Sequence, residues 1–140
     1  MALLDPGSED HFTAAQGVAG VVLYAVIADE VATDEEMDGL RTMLGRMDLF
    51  RDPAQIDVSL RKALRIAKAR GDEGMLALAA TGVPANLRAT AFALAVDLVM
   101  ADKDVSDEEE ACIERIQAAL GVPDDVAHKI VEVLVIKNEG

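Results

Sequence analysis

Two acidic stretches hold most of the residues in this chain that could do chemistry. The first reads Ala28-Asp29-Glu30-Val31-Ala32-Thr33-Asp34-Glu35-Glu36, and the second Ala101-Asp102-Lys103-Asp104-Val105-Ser106-Asp107-Glu108-Glu109. Overlaid at an offset of 73 residues, Asp29 on Asp102, they match at Ala, Asp, Thr/Ser, Asp, Glu and Glu. Hard cations such as calcium and magnesium take several carboxylate or carbonyl oxygens converging from different chain segments. Asp29, Glu36, Asp102 and Glu109 could supply such a set, with Asp104 and Asp107 close by in sequence. A single-loop EF-hand is excluded. Asp102-Lys103-Asp104-Val105-Ser106 opens like one, but Asp107 stands where the loop needs glycine and Ile113 where it needs glutamate. A metal site here has to be built across both turns.

Two other readings use the same residues. In the first, the carboxylates serve the helices. Thr33 with Glu36, and Ser106 with Glu109, have the spacing of capping boxes, in which hydroxyl and carboxylate each satisfy a free N–H. Glu35, Glu36, Glu108 and Glu109 also fall in first turns, where the helix dipole favours negative charge by roughly 0.3–1 kcal/mol each. That explains the glutamates but not Asp29 and Asp102, which follow a helix C-terminus where an anion is disfavoured. In the second, the acidic turns are a recognition surface for a basic partner. Residue types alone leave all three readings open.

Charge narrows the partners. With 13 Lys and Arg against 26 Asp and Glu, the net charge of −13 argues against nucleic acid, whose phosphates such a surface repels. The cations cluster: Arg41, Arg46, Arg51, Arg61, Lys62, Arg65, Lys68 and Arg70 lie within thirty residues that hold only Asp48, Asp52 and Asp57 as acids. Arg61, Lys62, Arg65 and Lys68 form a basic interaction face for an acidic partner or anionic lipid, against the plainer reading of a solvated helix face.

Helices must position these turns. The composition is 51% hydrophobic with three Phe, one Tyr and no Trp, an aliphatic and Ala-rich balance that suits close-packed helices. Residues 1–12 read as a loose leader, and residues 13–140 as one helical domain. A helix capped by Thr13 runs to about Asp29, although Val18, Val21, Val22, Val26 and Ile27 would equally suit a strand. A second follows Thr33, with Met37, Leu40, Met43, Leu44 and Met47 as its buried stripe. Asp52-Pro53 starts a third that stops at Gly71. Met75 to Thr81 makes a short fourth, and the Ala- and Leu-rich 86–102 stretch a fifth. Ser106 starts a sixth that ends at Gly121, and Pro123-Asp124-Asp125 starts a seventh carrying Val126, Ile130, Val133 and Leu134. The expected fold is an all-α bundle of about seven helices. Its halves, about 13–50 and 86–122, repeat one helix pair around an approximate twofold axis.

Apolar helix, Ala-Asp, short turn, Ser/Thr, then Glu seven residues after the Asp, written twice, resembles the tellurite-resistance TerB family, a domain type shared with the N-terminus of the DjlA co-chaperone. The resemblance covers about Thr13 to Lys137. It implies a seven-helix fold without enzymatic activity, and an acidic cluster for a divalent cation such as calcium, magnesium, manganese or zinc. It also implies stress-response partners at the inner membrane face. The matching positions are Asp29 and Glu36, then Asp102 and Glu109. Glu30 and Lys103 stand where the family has glycine, and Lys103 puts a cation beside a ligand.

Catalysis has little to use. His11 lies in the leader, His128 is remote in sequence from Cys112, and no nucleophile, base and orienting group can be named. A metal-dependent hydrolase is the remote alternative. The single cysteine forms no intrachain disulfide and suits a reducing compartment. The opening residues do not read as a secretory leader, and the longest apolar run, Gly17 to Ala28, is about half a bilayer span. The expectation is a cytoplasmic, non-enzymatic binding module, peripheral to the membrane at most. Its alternative is a metal-free protein–protein scaffold in a membrane-associated stress complex.

Overall fold

Alternating caps and glycines cut this chain into helices, and the computed structural model describes them over residues 11–28, 32–100 and 105–139. Seven α-helices are present among the described residues, and no strand. They are α1 (Ala14–Ile27), α2 (Asp34–Gly45), α3 (Pro53–Arg70), α4 (Asp72–Gly82), α5 (Arg88–Val99), α6 (Asp107–Leu120) and α7 (Asp124–Asn138). Short 3-10 turns at Asp48–Phe50 and Ala85–Leu87 join α2 to α3 and α4 to α5. No single described helix is long and apolar enough to cross a membrane.

The first helix is the axis of the bundle. Thr13 caps it, and Gln16 returns the bond from its own side chain. Its β-branched run then enters a helix because every face is covered. Val18, Val21, Val22, Leu23 and Tyr24 are all buried, and α1 packs against α2, α3, α4, α5 and α6. A helix apolar all round belongs in a core, and burial there outweighs the local strand preference. Each of these side chains contributes roughly 1.5–3 kcal/mol by leaving water.

Two glycines let α4 approach α1 at backbone range. A Cβ on Gly17 would lie 2.6 Å from the Ala79 carbonyl oxygen and 3.0 Å from the Gly82 carbonyl carbon. One on Gly20 would meet the Ala79 Cβ at 2.7 Å. Phe12 fills the space beside Gly20 and Gly82 and is only 2% exposed. The packed domain therefore includes Phe12, a residue that the sequence places in the leader.

The remaining elements follow their punctuation. Asp52 caps α3, its carboxylate accepting from the Ala54 N–H at 3.0 Å ahead of Pro53. Gly71, at φ +83°, turns the chain from α3 directly into α4. That helix starts three residues before the expected Met75. Gly121 closes α6 in the left-handed region. In α2, Leu40 and Leu44 are fully buried, whereas Met37, Met43 and Met47 are only half-buried at the edge of the core. Met43 and Met47 line a groove of about 410 Å³ with Leu94 and Asp97 of α5, so the methionine stripe is partly surface. The outermost helix, α7, packs on α5 and leaves Val133 62% and Ile136 70% exposed.

The close α1–α4 contact sets an expectation. Gly17→Ala gains about 1 kcal/mol of helix propensity but must displace backbone, at a cost of about 1–3 kcal/mol. Denaturant unfolding should show a net loss. Gly39→Ala, in α2 with nothing within 4 Å of the added methyl, should instead stabilise by about 0.5–1 kcal/mol. Stabilisation by both would refute the close-approach account.

Candidate functional site

Each acidic turn ends in a helix start of the same design. At α2, the Thr33 hydroxyl accepts from the Glu36 N–H at 3.1 Å, and Glu36 Oε1 accepts from the Thr33 N–H at 2.9 Å. At α6, the Ser106 hydroxyl accepts from the Glu109 N–H at 3.1 Å, and Glu109 Oε1 accepts from the Ser106 N–H at 2.9 Å. Both capping boxes read from the sequence are therefore formed. Three acids crowd the first turn of α2 and four that of α6, next to the positive ends of the helix dipoles.

These caps give Glu36 and Glu109 a job that involves no ligand. One oxygen of each carboxylate is used, and the second accepts no hydrogen bond among the described residues. Asp107 is the exposed first residue of α6. Asp29, Asp102 and Asp104 lie outside the described residues, as do Glu30 and Lys103. Among the described residues, no three His, Cys, Asp or Glu side chains converge as a metal would need.

The basic face divides. Arg61, Arg65 and Lys68 project to solvent from one stripe of α3, and no hydrogen bond or ion pair engages them among the described residues. Lys62 points elsewhere, which corrects its place in that face. It donates to the His11 carbonyl oxygen and to Gln16 Oε1 at 3.0 Å, and sits 4.9 Å from the centre of the Phe12 ring. Its role is to fasten the start of α1. Spacing alone could have shown this, since a residue next to Arg61 lies about 100° round the helix.

One cluster has no precedent in the sequence patterns. Tyr24, 1% exposed, accepts a hydrogen bond from Arg115 Nε of α6 at 2.7 Å. Glu73 of α4 lies 3.9 Å from that guanidinium. The three flank a cleft of about 490 Å³ between Ala28 at the end of α1 and the Arg70–Gly74 junction of α3 and α4. Ala28 immediately precedes Asp29, so the cleft borders the first acidic turn. Burial pushes the Tyr24 hydroxyl above its ordinary value, and the bond and charge from Arg115 offset part of that rise. The hydrogen bond to Tyr24 in turn holds the Arg115 proton more tightly. No sequence motif links positions 91 residues apart; a buried tyrosine's need for a polar partner was the available signal. Both charge signs lie on its walls, and among the described residues lining it there is no nucleophile–base pair.

Comparison with known proteins adds no assignment: no protein-family model matches the chain, and no curated protein or solved structure does.

Two outcomes follow from these contacts. Thr33→Ala and Ser106→Ala should each lower stability by about 0.5–2 kcal/mol, measured by denaturant unfolding. A negligible effect of either would mean its box does not close in solution. Tyr24 is the only tyrosine, so tyrosinate absorbance reports it alone. Its midpoint should lie above the model-peptide value of about 10 in the folded protein. The unfolded chain gives up this proton first, so the stability tied to it is intact below about pH 10 and is lost as pH rises through the folded value. Titration at or below the model-peptide value would contradict the buried site.

Proposed function

We propose that this protein is a non-enzymatic binding module of the TerB-like type, whose two acidic turns together hold a divalent cation. The observation behind the repeated motif on which the reading rests is the matched pair of capping boxes, with the same bond lengths at Thr33–Glu36 and Ser106–Glu109. Matching caps four residues after Asp29 and Asp102 in the sequence support an internal repeat of helix pairs. Burial supports it too. At the offset of 73, Val18 and Ala91, Ala19 and Phe92, Val22 and Ala95, Leu23 and Val96, and Val26 and Val99 are buried in both members. So are Leu40 and Ile113. Tyr24 and Arg115 touch across α1 and α6, and their counterparts Asp97 and Thr42 line one groove between α5 and α2.

The ligand argument rests on the division of labour. Glu36 and Glu109 are held by their caps and offer one remaining oxygen each, so Asp29 and Asp102 must carry the affinity. A cation with oxygen preference fits such a set, and a charge of −13 raises its local concentration. Lys103 opposes it. The family reading rests on this repeated motif, and stress-response partners at the inner membrane face come with it as part of the proposal.

A second reading, a metal-free docking scaffold, is favoured by the α3 stripe, where Arg61, Arg65 and Lys68 have no ion-pair partner among the described residues. Titration calorimetry and thermal melts with calcium, magnesium, manganese and zinc separate the two. The metal reading expects heat and a raised Tm for at least one ion, with Asp29→Asn and Asp102→Asn each weakening binding about tenfold or more. No response to any ion at millimolar concentration sinks it, and indifference of both variants moves the ion elsewhere.

A further inference from the structure

Two exposed stripes on different helices have charge patterns that mirror one another. On α3, Arg61, Arg65 and Lys68 follow steps of four and three residues; on α6, Asp107, Glu110 and Glu114 follow steps of three and four. Run antiparallel, the two helices therefore bring Arg61 opposite Glu114, Arg65 opposite Glu110 and Lys68 opposite Asp107. At 1.5 Å per residue both ladders have rungs about 6 and 4.5 Å apart, so one register satisfies all three pairs.

The stripes do not satisfy each other within the chain. The third helix packs on α1, α2 and α4, and α6 on α1, α4 and α5. All six side chains are exposed, and none makes an ion pair or hydrogen bond among the described residues. Asp57, the one acid on the α3 stripe, is already held by Arg41, whose Nε lies 2.9 Å from its Oδ1. In the same register Leu64 meets Ala111, both half-buried apolar residues. Val58, 42% exposed, lies on the α3 stripe one turn before Arg61.

We infer that α3 of one copy docks antiparallel on α6 of a second copy, joined by Arg61–Glu114, Arg65–Glu110 and Lys68–Asp107. The α3 stripe thereby selects an acidic helix of matching spacing, and this chain supplies one. Each copy carries both halves, so the contact closes a pair if the rotation is twofold and propagates a chain if it is not. Like net charge opposes association. At about 0.15 M salt that repulsion is screened beyond about 8 Å, whereas the paired groups sit inside that distance. The contact uses none of Asp29, Glu36, Asp102 and Glu109 and shares only Asp107 with the metal reading, and Arg65→Glu mixed with Glu110→Lys tests it without that residue.

Sedimentation velocity on the full chain tests it. Exposed ion pairs are individually weak, so association is expected on the order of 0.1–1 mM protein at about 0.15 M salt, and its loss near 1 M salt. Two triple variants sharpen the test: Arg61→Glu/Arg65→Glu/Lys68→Glu, and Asp107→Lys/Glu110→Lys/Glu114→Lys. Each alone should be monomeric, and an equimolar mixture should associate, because each supplies the stripe the other now needs. Helix content and melting check the fold. If either triple variant is unfolded, Arg65→Glu and Glu110→Lys replace the two and are mixed in the same way. Carbodiimide coupling of mixed ordinary and nitrogen-15-labelled wild-type chains should join Lys68 of one copy to Asp107 of another. A wild-type chain that stays monomeric at about 1 mM overturns the inference. So does a mixture that associates no better than its components, as expected if the stripe serves an unrelated acidic protein instead.

Discussion

Everything in this fold depends on one helix being covered on all sides. The first helix presents valines, a leucine and a tyrosine around its whole circumference, so it is stable only inside a sleeve of other helices. Gly17 and Gly20 set how close that sleeve can come. Without a Cβ at those two positions α4 lies against backbone, and the rest of the sleeve is placed from there. The lysine that fastens the chain at His11, the phenylalanine beside the glycines and the cap at Thr13 all serve this one insertion.

Against that rigid axis, each acidic stretch ends in a helix start fixed by its cap. A capping carboxylate is held by backbone N–H groups and cannot swing freely towards a ligand. This separates residues that merely look alike in sequence. Glu36 and Glu109 hold the helix starts, whereas Glu35 and Glu108 beside them make no such bond among the described residues. The same separation acts on the basic side, where Lys62 belongs to the core's fastening and its neighbours to the solvent.

Much of this was legible in the chain itself. Thr33, Asp52-Pro53 and Ser106 announced their helices because a cap is a local interaction between residues two or three apart. Gly71 and Gly121 announced their ends for the same reason. The strand-like valines of α1 misled locally, since only tertiary covering tips them into a helix. The Tyr24–Arg115 contact was invisible, because it depends on how α1 and α6 come together across the bundle. Val133 read with the apolar residues of its helix, yet α7 leaves it 62% exposed, with only part of the helix surface covered. Half-buried Met43 and Met47 erred the same way: apolar spacing marks a face without saying how deep it sinks.

The position of α7 has a dynamic consequence. It rests chiefly on α5 and has no side-chain cap at its first turn. Its ties include Leu134 and Ala127 in the core, the bond from Gln117 Nε2 to Asp124 Oδ1 at 2.7 Å, and the bonds from Lys137 and Asn138 to Asp97. Local opening is easiest where few apolar contacts must be broken. Packing is therefore graded from the axis outward, and by that rule α7 is expected to open before α1. Lifting α7 would bare the outer side of α5, including Asp97. The face of α5 around Asp97 is thus covered by the helix with the fewest packing neighbours among those described.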